Sequence, residues 1–344
     1  MFTSRRSSTV MLSAAGLALA FVASACGSSS SGGSPPATTS SLPAASSPSV
    51  ATSASTASLP SICGGTAGSG KVLVASQAFG ESETLAAIYA AALKECGYNA
   101  STKSFASREV YYPQVVKGKI QVVPEYAATL TDFINDAANG ATAPSKASGN
   151  ISVTMKHLRA ELPSNLTALN PATSTDKNSF AVTKAFANAN HITTMSQLAT
   201  YSKSHPLELA GPPECPTRPF CEPGLKSVYG MKFKGFKQTD EGGSLTVKAI
   251  KSGAANVGLV FTSDPTIAAN GLVVLTDDKQ LQASDNIVPL VAKSLASGAA
   301  ASALNAVDAK LDQTTLVDLN KAVEIDHGTS AQVATQFLKQ EGLD

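Results

Sequence analysis

The side chains able to do chemistry in this chain are few and scattered. Its 344 residues include five cysteines, four histidines and no tryptophan. His157, His191, His205 and His327 show no i,i+4 pairing, the spacing that sets two imidazoles on one helix face for a metal. No G-x-S-x-G elbow and no H-E-x-x-H run occurs. Gly65-Thr66-Ala67-Gly68-Ser69-Gly70-Lys71 has phosphate-loop spacing up to its lysine. Val72 then replaces the hydroxyl that would hold magnesium, and the run precedes a strand instead of following one. No enzyme, cofactor or metal is expected on these grounds; an exported hydrolase is the competing class. The formal net charge is +1 and no basic stripe is visible, so nucleic acid is not an expected partner.

The N-terminus reads as an address. Arg5 and Arg6 precede an apolar run from Val10 to Ala25, too short to span a bilayer comfortably and ending in small residues. Residues 1–25 are therefore expected to be a secretory signal. Val22-Ala23-Ser24-Ala25-Cys26 resembles a bacterial lipobox, which makes Cys26 the expected lipidation site; an ordinary signal cut at Ala-Ser-Ala is the alternative. Residues 26–67 are mostly Ser, Ala, Thr, Gly and Pro, with no charge and almost no large side chain. Such a segment buries too little apolar area to offset its ordering entropy. It reads as a flexible tether, with a reach on the order of 35 Å, holding a globular domain above the outer face of a cell membrane.

With Cys26 assigned to lipid, Cys63, Cys96, Cys215 and Cys221 remain, and an exported compartment permits disulfides. Cys215 and Cys221 flank a Pro-rich loop, Pro216-Thr217-Arg218-Pro219-Phe220, and are expected to bridge it. By elimination Cys63 pairs with Cys96. Zinc held by the four is the rival reading; it lacks C-x-x-C spacing and nearby histidine.

Strands and helices alternate beyond residue 68. Lys71–Ser76 is β-branched; Glu81–Cys96 has helical apolar spacing with an acidic first turn and Gly97 as its stop. A strand at Asn99–Phe105, a helix at Glu109–Lys117 and a strand at Ile120–Pro124 follow. Strands recur at Phe180–Thr183, Leu207–Ala210, Val257–Thr262 and Leu272–Leu275, with a helix at Ser244–Ser252. From Ser297 onward the pattern is helical. The rhythm predicts an α/β fold of two lobes with mixed sheets flanked by helices, and a ligand cleft at the loop ends of the strands.

Four segments, in order over about two hundred residues, carry a family resemblance. They are Val74-Ala75-Ser76-Gln77-Ala78-Phe79-Gly80-Glu81-Ser82-Glu83; Ser107-Arg108-Glu109-Val110-Tyr111-Tyr112 running on to Pro124-Glu125-Tyr126-Ala127-Ala128-Thr129; Gly211-Pro212-Pro213-Glu214 with Pro223-Gly224-Leu225-Lys226; and Lys248-Ala249-Ile250-Lys251-Ser252-Gly253 with Val260-Phe261-Thr262-Ser263-Asp264. The chain resembles the glycine betaine/choline substrate-binding lipoproteins of osmoprotectant ABC importers. The resemblance implies a type II periplasmic-binding-protein fold, with residues 68–178 and 287–344 as lobe one and 179–286 as lobe two. It implies a monomer that gives a quaternary amine to membrane permease subunits.

A trimethylammonium group donates no N–H bond, so aromatic faces suit it, at about 0.5–1 kcal/mol each when exposed and about 2 when desolvated. The resemblance places Tyr126 in an aromatic cage. It puts Phe180 and Phe261 where relatives often carry tyrosine, with either Tyr111 or Tyr112 as a further wall. Tyr126 and Phe261 are expected on opposite walls. Thr129, Arg108 and Arg218 are candidate donors to a solute carboxylate, and Ser76 and Gln77 candidate polar contacts. Thr239-Asp240-Glu241-Gly242-Gly243 falls near where relatives add another cage tyrosine; here it is acidic, making Asp240 a candidate for the cation. A different small solute on the same fold is the second reading.

Overall fold

The computed structural model describes residues 60–140 and 143–344. The expected signal segment, Cys26 and the expected tether before residue 60 lie outside the described residues. Of the expected tether, residues 26–67, those from 60 onward are described: Ile62 and Cys63 are buried, and Cys63 is bonded to Cys96.

Along the chain, β1 (Lys71–Gln77), α1 (Gly80–Glu95), β2 (Asn99–Phe105), α2 (Arg108–Val116), β3 (Val122–Tyr126), α3 (Ala127–Asn139), α4 (Ile151–Glu161) and β4 (Leu166–Ala168) come first. Then come β5 (Asn178–Thr183), α5 (Lys184–Asn190), α6 (Met195–Ser202), β6 (Leu207–Gly211), α7 (Glu222–Tyr229), β7 (Phe233–Gln238), α8 (Ser244–Lys251), β8 (Val257–Phe261) and β9 (Leu272–Val274). The chain closes with β10 (Ile287–Ala292), α9 (Gly298–Asp308), α10 (Gln313–Glu324) and α11 (Ser330–Glu341).

Two five-stranded sheets result, ordered β2-β1-β3-β10-β4 and β7-β6-β8-β5-β9. In each, three strands run parallel, and a strand that returns from elsewhere in the chain lies antiparallel beside them: β10 against β3 and β4, β5 against β8 and β9. The fold is an α/β pair of mixed sheets flanked by helices. The two crossings between sheets lie before Asn178 and before Ile287.

Local chemistry explains the first unit. Glu81 and Glu83 sit in the first turn of α1, where the helix dipole favours negative charge. Leu85, Ile88, Tyr89, Ala92 and Leu93 form its buried stripe, packed with Leu304, Val307, Val333 and Phe337 from α9 and α11. Gly97 ends it in left-handed backbone at φ 91°, and any Cβ there would stand 2.9 Å from the Gly68 carbonyl oxygen. The Cys63–Cys96 disulfide fastens the chain to that same helix end.

The element bounds differ in informative ways. The second helix spans Arg108–Val116, and the third strand is shifted to Val122–Tyr126. Tyr126 thus closes the strand and opens α3, a helix the residue pattern did not announce. No side chain near the start of α3 caps it; Asp285, 157 residues away, accepts from the N–H groups of Ala128 at 2.8 Å and Thr129 at 3.0 Å.

Candidate functional site

The loops after the parallel strands of both sheets meet around one cavity of about 690 Å³, its opening to solvent included. From the first sheet come Gln77 and Phe79 after β1, Arg108 at the head of α2, Tyr126 at the end of β3, and Thr129, Asp132 and Phe133 on α3. The second sheet supplies Glu214 and the Cys215–Cys221 loop after β6, Glu241 after β7, and Phe261 at the end of β8. Asp176 and Asp285 enter from the two crossings. Ligand sites in open α/β sheets form in this position, beyond the carboxyl ends of the strands.

Three rings make one continuous apolar wall. Phe79 stacks with Tyr126 at 6.2 Å between ring centres and with Phe261 at 5.7 Å. Tyr126 is 5% exposed, and its hydroxyl donates to Glu81 Oε1 at 2.8 Å. That bond fixes the ring, and burial beside Glu81 raises the phenol well above its ordinary range. Gly242, at φ 74°, packs against Phe261, where a Cβ would stand 3.0 Å from the ring.

A second aromatic, Phe133, carries two guanidiniums. Arg108 lies 5.8 Å and Arg218 5.5 Å from its ring centre. Both already hold carboxylates. Arg108, 2% exposed, reaches Glu125 through Nε and Nη2, the latter at 2.7 Å, and also donates to Thr129 at 3.1 Å. Arg218 bonds Glu109 at 2.8 Å, which joins the two halves of the cleft. Against these two paired arginines, the cavity wall carries Asp132, Asp176, Glu214, Glu241 and Asp285. Burial raises Asp176 and Glu241 well above the ordinary carboxyl range and lifts Asp285 to about 6, despite its bonds to the α3 N–H groups.

Residues 70–340 match OpuAC, the substrate binding domain of the ABC-type glycine betaine transport system. The chain belongs to the OpuAC family. It is similar to the glycine betaine-binding protein YehZ of Escherichia coli K12, with 28% identity over 66% of this chain and 76% of that one. It is also similar to the ergothioneine transport permease/ergothioneine binding protein EgtU of Helicobacter pylori G27, with 26% identity over 67% of this chain and 40% of that longer one. Among solved structures, that of a glycine betaine/carnitine/choline ABC transporter shares the fold, with a TM-score of 0.60 at 20% identity over 79% of this chain and all of that one. This OpuAC domain is a substrate-binding protein of the glycine betaine/choline type of ABC transporter, with the type II periplasmic-binding-protein fold. No helix among its described residues is long and apolar enough to cross a membrane.

Of the residues singled out from sequence, this OpuAC structure brings Tyr126, Thr129, Arg108, Arg218 and Phe261 to the cavity, with Tyr126 on the first sheet and Phe261 on the second. It places the others away from this cavity. Phe180 is fully buried in the second core among Val182, Leu209, Val257 and Leu259, because its position in β5 points between sheet and helices. Tyr111 is fully buried and donates to Glu125, holding the partner of Arg108. Tyr112 stands edge-on to Phe133 at 5.4 Å, behind the wall. Ser76 is buried within β1; its neighbour Gln77 lines the cavity instead. Asp240 turns away to accept from the N–H groups of Leu245 at 2.9 Å and Thr246 at 3.0 Å, capping α8. The four remaining cysteines form Cys63–Cys96 and Cys215–Cys221 disulfides. Sequence reasoning missed Phe79, Phe133 and Glu241. Phe79 sat inside a quoted family segment, and Glu241 beside Asp240, so position was the available signal for both.

Proposed function

We propose that this protein captures a quaternary-ammonium osmolyte, of the glycine betaine, choline or carnitine type, against an aromatic cage between two lobes. Residues 68–178 with 287–344 form one lobe and residues 179–286 the other. The observation carrying this reading is the Tyr126–Phe79–Phe261 stack on the wall of a cavity rich in carboxyl groups. A methylated ammonium pairs with ring faces and with negative potential and asks for no hydrogen bond. At 5.7 Å Phe79 and Phe261 touch each other, so the cation meets the stack from its cavity side. A carboxylate on the solute would share Arg108 with Glu125 and Arg218 with Glu109.

The solute bridges the lobes and favours their closed arrangement, which the permease subunits recognise. A lipid on Cys26 and a flexible tether hold the monomeric domain at the outer face of the cell membrane. The test is a thermal-shift screen with glycine betaine, choline, carnitine and ergothioneine beside unrelated metabolites. A bound solute at a hundred times its Kd adds about 2.7 kcal/mol to stability. A shift with a quaternary amine, lost in Tyr126→Ala, supports the reading; no shift with any of them overturns it. Loss of Cys26→Ala protein from the membrane fraction tests the anchor.

A further inference from the structure

Leu316, Leu319 and Asn320 are the buried residues of α10, and the asparagine is 2% exposed. Its Nδ2 donates to Glu81 Oε2 at 2.6 Å and to the Ser263 carbonyl at 3.2 Å. A backbone carbonyl only accepts, so the nitrogen end of the amide must face Ser263. Asn320 Oδ1 is then buried with no hydrogen-bond partner. A buried carbonyl left bare costs stability. Asparagine is therefore a poor choice for packing alone, and its two donated bonds are what set it apart from its leucine neighbours.

Those bonds end on the two sides of the candidate site. Through its other oxygen Glu81 accepts from the Tyr126 hydroxyl at 2.8 Å. Ser263 stands two residues beyond Phe261, in the loop after β8, and its own hydroxyl donates to Asp176 at 2.7 Å. One amide thus holds the anchor of the Tyr126 ring and the backbone beside the Phe261 ring, from positions 239 and 57 residues away in the chain. Phe79, the middle ring, has no polar atom of its own and takes its place from the rings on either side.

We propose that Asn320 is a positioning residue of the solute site: without lining the cavity itself, it sets the Tyr126 and Phe261 rings at the spacing that Phe79 fills. This rests on the reading of that stack as the wall against which a quaternary amine binds. Glu81 receives one side-chain bond on each oxygen, from Tyr126 and from Asn320. Without Asn320 the carboxyl group is free to turn about its last bond and take the Tyr126 hydroxyl with it. The same loss strips the side-chain bond from the Ser263 carbonyl and leaves that loop its bonds to Asp176. Cation–ring attraction acts within about 6 Å of a ring centre, so rings that drift apart no longer act on one ammonium together.

Asn320→Leu keeps the size of the side chain and removes both donors; Asn320→Ala takes its place where the leucine does not fold. Titration calorimetry of the purified protein with choline is expected to show an affinity about tenfold lower, the scale of one hydrogen bond to a charged group. In a Tyr126→Phe background, which already lacks the hydroxyl, the same substitution is expected to cost about threefold or less, because residues acting through one another are not additive. An affinity within about twofold of the parent, even with a lowered melting temperature, assigns Asn320 to the fold alone and overturns the proposal. Losses that simply multiply in the double variant overturn it as well. NMR with isotope-labelled Phe and Tyr rings reads the geometry in the unliganded protein, whether or not choline binds. Overhauser contacts from Phe79 to Tyr126 and to Phe261 are expected in the parent and are expected to weaken in the Asn320 variant; contacts of parent strength refute the positioning role. Weakened contacts in a protein whose parent binds no quaternary amine overturn the solute reading and leave the positioning role standing.

Discussion

Phe261, at the end of β8 in the second sheet, stacks on Phe79, just past β1 in the first, with 5.7 Å between ring centres and 19° between planes. Tyr126 stacks on the other side of Phe79 at 6.2 Å. The middle ring joins the two sheets across the cleft. Phe79→Ala is expected to weaken choline binding about five- to thirtyfold, the equivalent of one desolvated cation–ring contact of about 1–2 kcal/mol. Titration calorimetry checks this. An affinity within twofold of the parent would remove Phe79 from the site.

Arg218 and Glu109 form a second contact across the cleft, at 2.8 Å, with Arg218 also over Phe133. Exposed ion pairs contribute little to stability, about 0–1 kcal/mol, so Arg218→Ala is expected to leave the melting temperature nearly unchanged. Its effect falls on lobe closure. Small-angle scattering should report a larger radius of gyration for the unliganded variant, and solute affinity should fall a few fold. An unchanged radius would show that the pair does not hold the lobes together.

Arg108 and Glu125 are a different case. Both are buried, and Tyr111 and Thr129 complete their bonding. Removing one partner of a buried pair leaves an uncompensated charge, at a cost of about 3–5 kcal/mol. Glu125→Ala and Arg108→Ala should each lower urea-unfolding stability by that order. A loss under about 1 kcal/mol for either would mean that water replaces the missing partner.

The two disulfides close loops of different length, with sequence separations of 33 and 6. Loop-closure entropy predicts that Cys63→Ser with Cys96→Ser costs about 4 kcal/mol, and Cys215→Ser with Cys221→Ser about 2 kcal/mol. Chemical denaturation of both double variants tests the order. The second bridge also shapes the cavity, so its loss should reduce solute affinity, whereas loss of the first should not.

Buried acids give the empty protein an inverted pH profile. Asp285 is lifted to about 6 by burial, Glu324 to about 7 by burial with Asp264 and Glu81 nearby, and Asp308 is raised well above its ordinary value by burial. Between the unfolded pKa of about 4 and these values the native state holds protons that the unfolded chain has lost, so stability falls as pH rises. The unliganded melting temperature should therefore decline from about pH 5 to about pH 7.5. A flat or rising curve would contradict these protonation states.

Much of the frame was readable from local chemistry. Lys71–Gln77 and Gly80–Glu95 follow from β-branched and helical apolar periods, and Gly97 ends the helix because only glycine accepts that backbone beside Gly68. The family segments led to Tyr126, Thr129, Arg108, Arg218 and Phe261, all of which line the cavity. These features rest on short-range rules or on runs of residues, which a sequence carries whole.

Other features depended on partners far away in the chain. Helix α3 had no local cap, since Asp285 supplies it from the return crossing. Phe180 and Phe261 had similar apolar surroundings in sequence; the antiparallel register of β5 on β8 buries one and leaves the other at the strand end facing the cavity. Asp240 and Glu241 are neighbours, yet one caps α8 and the other lines the cavity. The sequence determined which side chains were available and which segments would be strands or helices. The tertiary structure decided which of them share a cavity, because burial, register and long-range charge pairing exist only once the two sheets face each other.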